Sequence, residues 1–89
     1  MKTIWKYQLS HLAYQFTIEM PEGAKPLCVQ MQRDEATMWA LVETGAPMVK
    51  REFVICGTGR LLSGDSLVYI GTYQQMGGAL VWHVFEVVQ

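Results

Sequence analysis

LVYIGTYQQMGGALVWHVFEVV, residues 67–88, decides the fold. Two runs rich in β-branched and aromatic residues flank Gln75-Met76-Gly77-Gly78, a pattern that specifies two strands joined by a tight glycine turn. In the second run Ala79, Val81, His83, Phe85 and Val87 fall on one side, and Leu80, Trp82, Val84 and Val88 on the other. A strand that is apolar on both sides is either covered twice or covered once and left facing a partner. This hairpin is expected to be the centre of the structure.

Working outward, Trp5, Tyr7 and Leu9 alternate with Lys6 and Gln8, which reads as a half-buried first strand followed by a turn at Ser10–Tyr14. Gln15–Met20 alternates cleanly, with Phe16, Ile18 and Met20 facing inward. Pro21-Glu22-Gly23-Ala24-Lys25-Pro26 carries two prolines and a glycine, so a turn is expected across the whole segment. Leu27–Gln32 and Met38–Glu43 form a second hairpin around a polar Arg33–Thr37 loop. Val49–Cys56 is a further strand with Arg51, Phe53 and Ile55 on one side and Lys50 and Glu52 on the other. The expectation is an all-β domain spanning residues 1–89, built of about seven short antiparallel strands as a small sandwich or partly closed barrel.

Half of the 89 residues are hydrophobic (51%), and 11% are aromatic, more than so small an interior readily conceals. That surplus points to homo-oligomerisation or a partner surface. Seven basic against eight acidic side chains give a net charge of -1, which argues against duplex nucleic acid as a partner and against DNA mimicry. Cys28 and Cys56 are far apart, with no paired spacing that would make a zinc site. Reduced core thiols are the plainer reading, and a single disulfide stays open. No apolar leader or membrane-length apolar run is present, so no membrane association and a cytoplasmic location are expected.

No cofactor is implied. The carboxylates are scattered, and none stands out as half of an acid–base pair. Glu86 interrupts the apolar final strand, and an ion pair with Arg51 or Lys50 would explain it. His83 stands mid-strand with no evident nucleophile or orienting carboxylate, which reads as structural rather than catalytic. Gly57-Thr58-Gly59-Arg60 is the most suggestive loop: glycines let amides converge, Thr58 offers a hydroxyl, and Arg60 can grip a phosphate with two N–H groups. It lacks the full P-loop or dinucleotide fingerprint. The three tryptophans and four tyrosines suit core packing, with a base-stacking platform as the functional alternative. The candidate ligand-binding set is therefore Arg51, Gly57, Thr58, Gly59, Arg60, Trp82 and His83.

TIWKYQL at residues 3–9, FTIEMPEGAKPLCVQMQ at 16–32, MWALVE at 38–43, KREFVICGTG at 50–59 and YIGTYQQMGGALVWHVFEV at 69–87 together resemble a family of small uncharacterised bacteriophage and prophage accessory proteins. The resemblance implies a compact phage protein working in the host bacterial cytoplasm, and it carries no catalytic residues. Proteins of that kind are often binders, so the expected function is non-enzymatic: countering host defence by sequestering a small nucleotide signal or occluding a host protein. The alternatives are a minor structural or assembly component of a phage particle, and a small enzyme using His83.

Overall fold

The computed structural model describes residues 1–9, 13–64 and 66–88. Seven antiparallel strands follow one another: β1 (Lys2–Gln8), β2 (Gln15–Pro21), β3 (Lys25–Gln32), β4 (Glu35–Glu43), β5 (Met48–Gly57), β6 (Leu67–Gln75) and β7 (Leu80–Val87). They form two sheets, of order β1-β4-β3 and β2-β5-β7-β6, packed face to face and not closed into a barrel. The expected all-β sandwich is what these residues build. The expected turn at Ser10–Tyr14 falls mostly outside the described residues.

The hairpin of β6 and β7 turns through Met76, Gly77 and Gly78, all with positive φ (53°, 65° and 95°). Glycine tolerates that conformation at no steric cost, which is why the GG pair fixes the turn. β7 lies between β5 and β6, so the last strand in sequence is interior to its sheet.

Two expectations need correction. The turn over Pro21–Pro26 is shorter than expected: β2 runs through Pro21, and β3 begins at Lys25 and includes Pro26. Both prolines are tolerated because β2 and β3 are outermost in their sheets, and β3 has an irregular register between Pro26 and Cys28. The polar Arg33–Thr37 loop shrinks to a two-residue turn, with Arg33 and Asp34 both at positive φ and Glu35–Thr37 already in β4. Without a glycine, nothing in the sequence announced a turn of that hand.

Between the sheets lie Phe16, Met20, Val29, Met38, Phe53 and Val84, among others. Phe16 and Phe53 are directly opposite in register and stack with centroids 5.8 Å apart. On one flank β3 lies against β6, so closely that a Cβ on Gly71 would stand 3.0 Å from the Val29 backbone nitrogen. On the other flank β1 and β2 leave the sandwich open, and six of β1's seven residues are exposed.

One ion pair sits inside this core. Glu86 is only 7% exposed and stands opposite Phe53, which places Arg51 diagonally across from it on the inward face. Arg51 grips both carboxylate oxygens, through Nε to Oε2 and through Nη2 to Oε1 at 2.8 Å, while Nη1 donates to the Ala24 carbonyl at 2.8 Å. The hydrogen bond to Glu86 raises the Arg51 pKa above its ordinary value against the opposing effect of burial. The sequence expectation of a structural pair for Glu86 is met, with Arg51 and not Lys50 as the partner.

Replacing Glu86 with Ala strands a buried guanidinium and is expected to cost about 3–5 kcal/mol in urea unfolding, whereas Arg51→Met with Glu86→Leu recovers most of it. A Glu86→Ala variant as stable as wild type would show that leaving Arg51 unmatched carries no cost. The Tyr7 hydroxyl is buried with no hydrogen-bond partner among the described residues, and burial raises its pKa above 10.0, with Arg51 pulling the other way. Tyr73 is raised in the same direction, by burial and then by Tyr14. With folded pKa values above the unfolded ones, the unfolded chain gives up these protons first, so stability falls as pH climbs past about 10. Tyr7→Phe should flatten that alkaline decline and gain about 1 kcal/mol at neutral pH, read by circular dichroism.

Candidate functional site

β5 ends at Gly57, whose register partner is Trp82 on β7. A Cβ on Gly57 would come within 3.2 Å of the indole, so glycine lets the ring close against the strand. The chain then turns through Thr58 and Gly59, where Arg60 N–H donates to the Gly57 carbonyl at 3.0 Å and Gly59 takes φ +85°. That is the position of a type II turn that favours glycine. Thr58 fastens the turn to β7, its N–H donating to the Val81 carbonyl at 3.1 Å.

His83 occupies the outward face of β7, directly opposite Cys56. Its Nε2 is 2.7 Å from Thr58 Oγ1 and its Nδ1 is 3.0 Å from Thr72 Oγ1, which in turn lies 2.6 Å from the Tyr69 hydroxyl. Hydroxyls can donate in either direction, so this chain of groups satisfies His83 in either tautomer. It ends in neutral hydroxyls, and among the described residues no carboxylate orients the ring. Cys56 Sγ donates weakly to the Gly57 and Arg60 carbonyls, at 3.4 and 3.5 Å. Cys28 and Cys56 are both free.

Two depressions meet at this loop. The larger, about 1020 Å³, lies between the outer part of β5, residues 60–64 and 66–67, and the end of β7, and includes Tyr14, Glu52, Arg60 and Trp82 in its wall. The smaller, about 240 Å³, includes Thr58, Gly59, His83 and Phe85. Cys56, Gly57, Arg60 and Leu62 line both, so the Arg60 turn forms the ridge between them. Tyr14 and Trp82 face each other at 5.7 Å with a tilt of 32°, and Trp82 Nε1 donates to Gln75 Oε1 at 2.9 Å. Gln15 Nε2 donates to Glu52 Oε2 at 2.7 Å, leaving the carboxylate acceptor capacity towards the cleft.

Six of the seven sequence candidates are thus brought together: Gly57, Thr58, Gly59, Arg60, Trp82 and His83. Arg51 is not among them, because the core ion pair engages it on the opposite face of β5. Glu52 and Thr72 went unrecognised in the sequence, while Tyr14 and Tyr69 stood only among the seven tryptophans and tyrosines offered for stacking, with nothing to single them out. The pairing of β5 with β7 and of β6 with β7 collects them, and the first of those pairings joins strands that are not neighbours in sequence. Among the described residues no group of three or more His, Cys, Asp and Glu could hold a metal ion. No helix is long and apolar enough to cross a membrane.

Thr58→Val removes the hydroxyl that ties the turn to His83. Amide exchange in residues 57–60 is expected to accelerate about fivefold, for a bond worth about 1 kcal/mol, with β2 and β4 unchanged. Unaltered exchange at the turn would show that the Thr58–His83 contact does not hold it.

The model of a family described as Domain of unknown function (DUF7352) matches residues 1–89, and the chain belongs to that family. No curated protein and no solved structure matches it.

Proposed function

We propose that this DUF7352 protein is a non-enzymatic binding protein that takes up a small phosphorylated ligand of the nucleotide class. The observation that carries the reading is the continuity of the two depressions across Arg60. A guanidinium on the ridge, with the Thr58 hydroxyl beside it, offers an anion two polar partners, and His83 holds that hydroxyl in place. The Tyr14–Trp82 pair offers an apolar wall on which a base can stack, a contact worth about 1–3 kcal/mol. Glu52 can accept from a sugar hydroxyl or an exocyclic amine in the same cleft. A volume near 1020 Å³ is ample for a mononucleotide or a cyclic dinucleotide.

Binding without turnover is favoured by the histidine's surroundings. Among the described residues no carboxylate orients it, and the Thr58 hydroxyl has no other group to activate it. The resemblance to phage and prophage proteins supplies the biological setting: sequestration of a nucleotide signal in the host bacterial cytoplasm, to the detriment of host defence.

Calorimetry against a panel of mono-, di- and cyclic nucleotides tests this directly. At least one member should give saturable heats with a Kd in the micromolar range, and Arg60→Gln should weaken it about tenfold or more, as loss of a charge-assisted contact requires. Tyr14→Ala should weaken it as well. Flat heats across the whole panel would remove the nucleotide reading.

A further inference from the structure

We propose that the free edge of β1 is a self-association site, and that two copies join there through antiparallel β1–β1 pairing centred on Trp5. Half of the β1 backbone groups are already used. Leu9 N–H donates to the Ala36 carbonyl at 2.7 Å and Thr44 N–H donates to the Met1 carbonyl at 2.9 Å, so the odd-numbered residues of β1 exchange hydrogen bonds with β4. The N–H and C=O groups of Lys2, Ile4, Lys6 and Gln8 consequently point away from the sheet. No described residue pairs with them.

The other outermost strands are protected. β3 carries Pro26 and a register shift and lies against β6. β6 has its own irregularity between Tyr69 and Gly71, and β2 ends on Pro21. β1 has neither a proline nor a register shift, its pairing with β4 being unbroken over Lys2–Gln8, and its edge is guarded only by the outward Lys2 and Lys6. It also exposes apolar side chains on both faces, Ile4 at 54% and Trp5 at 37%. The whole chain exposes 5908 Å², against about 5300 Å² expected of a monomer of its mass.

Charge selects the occupant and the register. A two-fold pairing centred on Ile4 sets Lys2 against Lys6 of the second copy, and one centred on Lys6 sets that lysine against itself; both are penalised. Centring on Trp5 gives full overlap of Lys2–Gln8 with no lysine directly opposite another. Lys2 meets Gln8, Ile4 meets Lys6, Thr3 meets Tyr7, and Trp5 meets its own counterpart. The four outward residues then exchange backbone bonds with one another, and the two three-stranded sheets become one of six. A second copy satisfies this edge with its own identical edge, as a two-fold interface requires.

Sedimentation equilibrium on the full chain tests the pairing. Wild type should form a dimer, with a Kd in the range of about 10–100 µM expected of a small interface. Ile4→Pro deletes an N–H that the monomer does not use, so it should raise that Kd at least tenfold with the circular dichroism melt unchanged. Trp5→Cys tests the register independently: its Cα would stand ~4.5 Å from its counterpart, within disulfide range, and should cross-link under oxidation. Thr3→Cys, roughly 13 Å from its counterpart at the strand rise, should not. A wild type that stays monomeric to about 1 mM, a dimer that survives Ile4→Pro, or cross-linking through Thr3→Cys in place of Trp5→Cys would each overturn the proposal.

Discussion

A carboxylate and a guanidinium buried between two sheets form the constraint on which the rest of this structure depends. Arg51 binds Glu86 with two N–H groups and the Ala24 carbonyl with a third, tying together β5, β7 and the turn between β2 and β3. Such a pair adds little net stability over an apolar pair of the same volume, but every arrangement that breaks it leaves a buried charge unmatched. Strand register has a period of two, so a one-residue slip of β7 would send Glu86 to the outer face and leave Arg51 alone. The ion pair penalises that slip in a way that Val84 and Trp82 alone would not.

The site inherits its geometry from this registration. The same pairing that puts Glu86 opposite Phe53 puts His83 opposite Cys56 and Trp82 opposite Gly57. Inward residues of β5 and β7 set the frame, and outward residues of the same strands carry the polar groups. Arg51 and Arg60 therefore divide the work: one holds the frame, and the other stands at the ridge between two depressions. The Thr58–His83–Thr72–Tyr69 chain fastens the ridge to two strands at once, so the cleft wall is held by side chains as well as by backbone.

Much of this was legible before any coordinates. Alternation identified all seven strands, the Met76-Gly77-Gly78 turn announced the closing hairpin, and the oddity of a glutamate in an apolar strand led to its ion pair. Thr58 and His83 were each noticed, one as a loop residue and one as a lone strand histidine. Their contact was not, because it depends on β5 pairing with β7 across the intervening β6, and alternation contains no information on which strands are neighbours. Glu52 stayed hidden for the same reason, and Tyr14 was one stacking aromatic among seven with nothing in the alternation to place it beside Trp82. The Pro21–Pro26 and Arg33–Thr37 segments misled in the opposite direction. Proline is forbidden only where its missing N–H is needed, and an outermost strand does not need it; an Arg-Asp turn at positive φ has no glycine to reveal it.

The place of β7 also bears on how the chain is made. The strand that completes the four-stranded sheet, and that carries the counter-ion of Arg51, is the last of the seven to leave the ribosome. Until it emerges, β5 lacks a neighbour on one side and the guanidinium has nowhere to be neutralised. At a synthesis rate of about 5–20 residues per second, the nascent chain spends several seconds with its apolar faces uncovered. The β1-β4-β3 sheet and the β2–β5 pair can form before that, and the interior closes only once β6 and β7 have been added.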